Sequence, residues 1–265
     1  MLVDLLSYFS LSPPFLLCHS TRLMAPIMSV LLSEMPLLPS VIFAFCSRCT
    51  GSPKSLPFYL VDYHTLPLFM PTATCPFIHS IVAPYTRMLV DMERMPNDPL
   101  EAKGFGIVSQ WAIDALGEDF RQQALAWYQQ YHHITATKLN ALVSPLLIDC
   151  HSFSSHPTPL CLCPPDIDIC IGWNEDDTAP APPLLDRIVS YFIDCGYSVG
   201  INNPFSNSKT FPEAKAYHSL MIEINKRCYM DEQTLNCSSN FAHLHDRLQR
   251  LYSVIMNYNS APSCR

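Results

Sequence analysis

Residues 146–155 read LLIDCHSFSS. Three aliphatic residues run straight into Asp149, Cys150 and His151, and the chain then breaks into hydroxyl-bearing residues. A short, continuous apolar run of this kind is how a strand buried on both faces reads. Successive side chains in a strand point to opposite faces, so Asp149 and His151 share one face and Cys150 takes the other. Cys150 and His151 therefore do not make a nucleophile–base pair. The question becomes what an acid and an imidazole do together at the end of a buried strand.

The flanking sequence supplies the frame around that strand. EDFRQQALAWYQQYHHITATKLNALV (118–143) places Phe120, Ala124, Trp127, Tyr131, Leu139 and Leu142 at helical spacing. Downstream, IDICIG (167–172) is a second short apolar run. PPLLDRIVSYFIDCGY (182–197) opens on prolines and closes at Gly196, the usual punctuation of a helix. YSVGI (197–201) and HSLMIEI (218–224) read as strands, the latter setting Leu220, Ile222 and Ile224 against Met221 and Glu223. A last helix begins near Ser239 and carries Phe241, Leu244, Leu248, Leu251 and Ile255 in register. Upstream, IVAPYTRMLVDMER (81–94) reads as an extended segment entering a loop of acids and bases. Strand and helix in alternation predict an α/β fold of three layers, a central sheet with helices on both faces. We expect one domain over residues 1–265.

Composition narrows the class. The chain is 49% hydrophobic and 15% charged, enough apolar residue for a sizeable core. A net charge of -7 with no basic cluster argues against a nucleic-acid partner. No stretch reaches the roughly 18–20 apolar residues of a membrane span. The apolar start carries Asp4 and lacks the positive n-region of a secretory signal, so it reads as a strand plus a leader. Twelve cysteines leave disulfides, metal or buried thiols open. Cys46 and Cys49 have zinc-knuckle spacing but no second pair follows, and Cys150, Cys170, Cys195 and Cys228 sit inside apolar patterns. Buried thiols in a reducing, cytoplasmic compartment are the expectation.

Residues 26–60 stand apart. They hold three charged residues, many prolines and no clean period of 2 or 3.6. The stretch reads either as an irregular insertion or as a segment foreign to the native coding sequence.

No glycine-rich phosphate loop and no G-x-S-x-G elbow is present. In α/β sheets ligands bind beyond the carboxyl ends of the strands, so the polar residues there are the candidates. Asp91, Glu93 and Arg94 end the extended segment; Asp149 and His151, and then Asn202 and Asn203, end later strands, while Glu223 lies among Met221, Ile222 and Ile224. A carboxylate in such surroundings needs a partner or a role in proton transfer. Two readings remain at this point. Either these are satisfied structural polar groups, or His151 is a metal ligand, Glu223 a general base and Arg94 the receiver of an anionic substrate. The second needs further ligands from upstream, since a catalytic zinc usually has three from the protein.

A string of motifs bears on that choice. VAPYTRMLVDMERMPNDPLEAKGFGIV, YHH, LLIDCHSFSS, DICIGW, GYSVGINNPFSNS and LMIEINKRCYMDE follow one another from Val82 to Glu232, and FLLCHSTRLMAP and VDYHTLPLF precede them. In this order they resemble the N-formylglutamate amidohydrolase family. The resemblance implies a mixed sheet like that of zinc carboxypeptidases, with one zinc ion at its carboxyl edge. It also implies hydrolysis of N-formyl-L-glutamate, or a similar N-acyl amino acid, in histidine degradation. By the motifs, His19, Asp62 and His151 would hold the zinc and Glu223 would activate the attacking water. Arg94 would receive a substrate carboxylate, and Arg87, His133 and Asn203 would line the pocket. The VDYHTLPLF segment departs from its motif, with Leu66 and Pro67 where acidic residues are usual. His64 would be a stand-in nitrogen ligand there, and a relative that keeps the fold without catalysis is the alternative.

Overall fold

The computed structural model describes residues 41–45, 60–72, 77–158, 161–206 and 210–260. His19 and most of the 26–60 stretch lie outside the described residues, as does the predicted strand in the leader. In chain order the strands are β1 (Val41–Phe45), β2 (Ile78–Val82), β3 (Leu146–Phe153), β4 (Ile169–Gly172), β5 (Val199–Ile201) and β6 (His218–Asn225). The helices are α1 (Thr65–Phe69), α2 (Gln110–Leu116), α3 (Glu118–Asn140), α4 (Pro182–Asp194) and α5 (Phe241–Ser260). Among the described residues, no helix is long and apolar enough to cross a membrane.

The six strands pair in the order β2-β1-β3-β6-β4-β5. The first four run parallel; β4 is antiparallel to β6, and β5 parallel to β4. The mixed sheet expected from the sequence is the one observed. Alternation in β3 sorts its side chains between two cores, and in β6 it directs Leu220, Ile222 and Ile224 into the first of them. Leu146, Ile148 and Cys150 join Leu220, Ile222 and Ile224 beneath α1, α4 and α5. Leu147 joins the opposite core with Ala112 of α2 and Ala124, Tyr128 and Tyr131 of α3. Asp149 and His151, in phase with Leu147, therefore emerge on the α3 side.

Two elements differ from expectation. Val41–Phe45, inside the stretch that showed no clean period, is a strand between β2 and β3. A parallel strand with a neighbour on each side needs a continuous apolar run, and VIFAF supplies one without alternation. The extended segment expected over 81–94 stops at Val82, because Pro84 offers no N–H to a ladder. Beyond it the chain turns, with Val90 bridged to Val108, and Asp91–Arg94 lie on that turn.

Asp168 fastens the far side of the sheet. Its carboxylate accepts hydrogen bonds from Ser198 N at 3.0 Å, Ser198 Oγ at 2.8 Å and Arg227 Nη2 at 3.1 Å. Burial alone would raise its pKa, but these donors outweigh burial and lower it. A depressed carboxylate stabilises the fold above its unfolded value and loses that contribution as pH falls through the folded one. Asp168→Asn should therefore lose about 1 kcal/mol at neutral pH, after allowance for solvent screening. In urea titrations the gap should close as pH drops below about 4; a gap independent of pH would contradict the assignment.

Candidate metal centre

At the carboxyl end of β3 and β6 the sheet register sets His151 directly beside Glu223. Both project on the α3 side, and β4 then places Cys170 next to Glu223. Asp149, one step of two along β3, brings Oδ1 to 3.0 Å from His151 Nε2. The opposite ring nitrogen, Nδ1, lies 3.5 Å from Asp62 Oδ2. Asp62 reaches the strand end from the turn before α1, where Thr65 Oγ1 donates to its carbonyl at 3.0 Å. Its other carboxylate oxygen accepts from Ser152 N at 2.7 Å and Ser152 Oγ at 3.0 Å. Tyr229 Oη donates to the Tyr63 carbonyl at 2.8 Å and fixes the same turn from below.

The turn carrying Asp91–Arg94 closes the third side. Glu93 Oε2 stands 3.6 Å from His151 Nε2 and 2.5 Å from Arg87 Nη2. Arg87 also faces Asp91 at 3.5 Å and Asp62 at 3.6 Å. Arg94 pairs with Asp91 at 3.3 Å and Asp98 at 3.2 Å. A cavity of about 20 Å³ between the two arginines is lined by Leu60, Met88, Phe105 and Ser109 among others.

The exposures are decisive: Asp149 and His151 are 0%, Asp62 1% and Glu223 6% exposed. Groups so buried require compensation, because a charge taken out of water unpaired is costly. Burial pushes Asp62 up, but the Arg87 guanidinium and His151 hold it well below the usual carboxylate range. Burial would lower His151, yet Asp149, Glu93 and Asp62 raise its affinity for a proton well above normal. Glu223 is pushed up to about 8, chiefly by burial and further by Asp62 and Glu93, with His151 and Arg87 opposing. Lys226, 2% exposed, is lowered by burial while Asp62, Glu232 and Glu223 pull the other way.

These donors suit a divalent cation. Glu223 Oε2 is buried with no hydrogen-bond partner, while Asp62 Oδ2 and the two ring nitrogens of His151 face charged neighbours at 3.0–3.6 Å. Ligand atoms of Glu93, Asp149 and His151 all lie within 4.8 Å of one another. Imidazole and carboxylates are ligands for zinc and other first-row ions. A ring that ligates through one nitrogen is normally oriented by a carboxylate on the other. With Nδ1 facing Asp62 and Nε2 facing Asp149, both positions are filled.

The cluster thus gathers Asp62, Arg87, Arg94, His151 and Glu223 from four separate segments of the sequence. Residues 52–230, which contain all five, match the family model described as N-formylglutamate amidohydrolase. The chain belongs to the N-formylglutamate amidohydrolase family. Its fold is similar to that of the N-formylglutamate amidohydrolase from Ralstonia eutropha JMP134, at 20% identity and a TM-score of 0.60. The match covers 85% of this chain and 95% of that one. It is also similar to the gene product Atu2144 from Agrobacterium tumefaciens, at 16% identity and a TM-score of 0.56. There, 82% of this chain and 92% of the other are covered. A comparison with curated proteins finds no match.

Within this amidohydrolase scaffold the remaining candidates fall elsewhere. His133 is exposed on α3 and pairs with Glu213 at 3.1 Å, so it does not join the cluster. Its neighbour His132 turns inward, 2.8 Å from the Met92 carbonyl, one residue from Glu93. His64 Nε2 lies 2.9 Å from the Leu235 carbonyl, away from the cluster. Asn203 follows β5, and its carbonyl accepts from the Cys170 thiol at 3.4 Å. Gly200 permits that approach, since a Cβ there would meet the Asn203 oxygen at 2.5 Å. Asn203 thereby reaches the neighbour of Glu223 through its backbone.

Proposed function

We propose that the protein hydrolyses the amide bond of N-formyl-L-glutamate, or of a similar small N-acyl amino acid, to formate and the free amino acid. The observation that carries this is the convergence of Asp62, His151 and Glu223, buried and in mutual reach, at one strand edge. Asp62 and His151 would hold a zinc ion, with His19 as the third ligand implied by the family motif. Bound there, the metal supplies Lewis acidity, polarising the acyl oxygen and acidifying water.

The chain's own residues do the rest. Asp149 orients the His151 ring through Nε2, and Ser152 fixes Asp62 through two hydrogen bonds. Glu223 accepts the proton of the attacking water and returns it to the departing nitrogen. Its burial suits that role, because a base is most effective when its pKa lies near the working pH. Arg94 presents the planar fork of donors that a substrate carboxylate requires. Glu93 and Asp149 offer a second way to hold the ion, on the Nε2 side of the ring.

The test is formate release from N-formyl-L-glutamate and N-formyl-L-glutamine by zinc-supplemented protein, beside elemental analysis of the purified chain. Turnover of either substrate with about one divalent ion per chain is expected. A folded, metal-loaded protein that releases no formate from either would remove the hydrolytic reading.

A further inference from the structure

Lys226 is 2% exposed, yet the hydrolysis outlined above gives it nothing to do. It follows Glu223 by three residues and opens a short 3₁₀ helix, Lys226–Cys228. The Asn225 side chain caps that helix, accepting from Arg227 N at 3.2 Å and donating to the Ile167 carbonyl at 3.0 Å. The Lys226 carbonyl accepts from Tyr229 N at 3.1 Å and Met230 N at 2.9 Å. Tyr229 in turn donates to the carbonyl of Tyr63, the residue after Asp62. The backbone that carries the ammonium is therefore locked to the turn that carries Asp62.

The surroundings of Lys226 are acidic. Asp62, Glu232 and Glu223 are its neighbours of opposite charge, and Arg87 is a neighbour of like charge. Asp62 and Glu223 belong to the candidate metal centre and are 1% and 6% exposed. Glu232 reaches back to the loop that leaves β3 after His151. It accepts there from Ser154 Oγ at 2.6 Å, from Ser155 N at 2.9 Å and from the Ser155 hydroxyl. One buried ammonium thus serves the Asp62 turn, the end of β6 and the exit of β3. An ammonium carries donors only, so it cannot ligate a metal, and its burial keeps substrate away. Its contribution is positive charge at a fixed place. Buried charges are screened far less than exposed ones, and buried carboxylates are costly unless cations answer them.

We propose that Lys226 is the resident cation of this acidic centre, holding its carboxylates together before a metal binds and setting zinc affinity by competing with the ion for them. This rests on the metal-centre reading above and adds to it a residue that tunes the ion without touching it. Two opposite effects follow from removing the charge. The acids are left to repel one another, which weakens the metal-free fold. More negative charge is left for a divalent ion, which tightens its binding. A side chain that only fills space would weaken both forms alike.

The experiment is thermal unfolding of the wild type and Lys226→Met, in chelator and at one fixed free zinc concentration well above Kd. Methionine keeps an unbranched, flexible side chain and removes the charge. In chelator the variant should melt below the wild type. Zinc should raise its melting temperature by about 3–6 °C more than that of the wild type, which corresponds to about a tenfold gain in affinity. Competition against a chromophoric chelator reads the same gain directly. An equal or smaller zinc shift in the variant overturns the proposal. If the variant is unfolded in chelator, it should fold when zinc is added, and a variant that stays unfolded in zinc overturns the proposal too. Formate release, scored separately, keeps the two ideas apart. A zinc effect enlarged in the variant, without formate release by either protein, leaves the role of Lys226 standing and removes hydrolysis. No zinc effect on either protein removes the metal centre and the role of Lys226 together.

Discussion

Glu223→Gln lowers kcat by about 10²–10⁴-fold while leaving metal content unchanged. The substitution preserves shape and one acceptor but removes the basic oxygen. Glu223 faces the site from β6 at the register of His151 and is 6% exposed, so bulk water does not readily replace it. Burial, with Asp62 and Glu93 nearby, raises its pKa above the ordinary carboxylate range. A base is active when ionised, so wild-type kcat/KM climbs with pH through this titration. That limb is absent from the variant's profile. A variant turning over within tenfold of wild type would show that Glu223 is not the base.

The second large effect is at His151. His151→Ala lowers metal affinity by at least about 100-fold, the upper end of what loss of a mere orienting neighbour produces. The cause is geometric, since the ring is the group that joins Asp62 on one side to Asp149 and Glu93 on the other. Thermal unfolding reads this without any assay of activity. Zinc at a hundred times its Kd adds about 2.7 kcal/mol to the stability of the wild type. The same zinc concentration adds almost nothing to the variant. Elemental analysis checks the stoichiometry, and circular dichroism confirms that the variant is folded. One ion per chain and an undiminished zinc-induced shift would mean that His151 is no ligand.

The sheet was legible wherever burial imposed a period or a run. β3 is continuous because it is covered on both faces, and β6 alternates, with Leu220, Ile222 and Ile224 in one core and Glu223 facing the site. α3 was legible from the spacing of Phe120, Ala124 and Tyr131. β1 was not, because five apolar residues inside a proline-broken stretch carry no helical or alternating signal. In the site, β3 announced Asp149 and His151 on a shared face by alternation alone, and 3.0 Å separates them. His133 was misplaced because adjacent residues on a helix point about 100° apart, so its pair YHH sends His132 inward and His133 to solvent. The supports were hardest to foresee. Ser152 holds Asp62 across 90 residues of chain, and Glu232 fastens Ser154 at 2.6 Å across 78. Long-range polar pairs of this kind leave no periodic trace.

β1 has a consequence for any shortened form of this chain. Its five residues stand between β2 and β3 and pair with both. Adjacent strands sit about 4.8 Å apart, so removing one opens a gap of roughly 10 Å that neither neighbour can close without moving a whole layer. A form lacking residues 26–60 would keep every residue of the turn at Asp91–Arg94 and of β3. It would still detach the outer strand, β2, from which the chain runs on into that turn. Such a form would keep the motifs and lose the hinge-pin that carries one of them to the other.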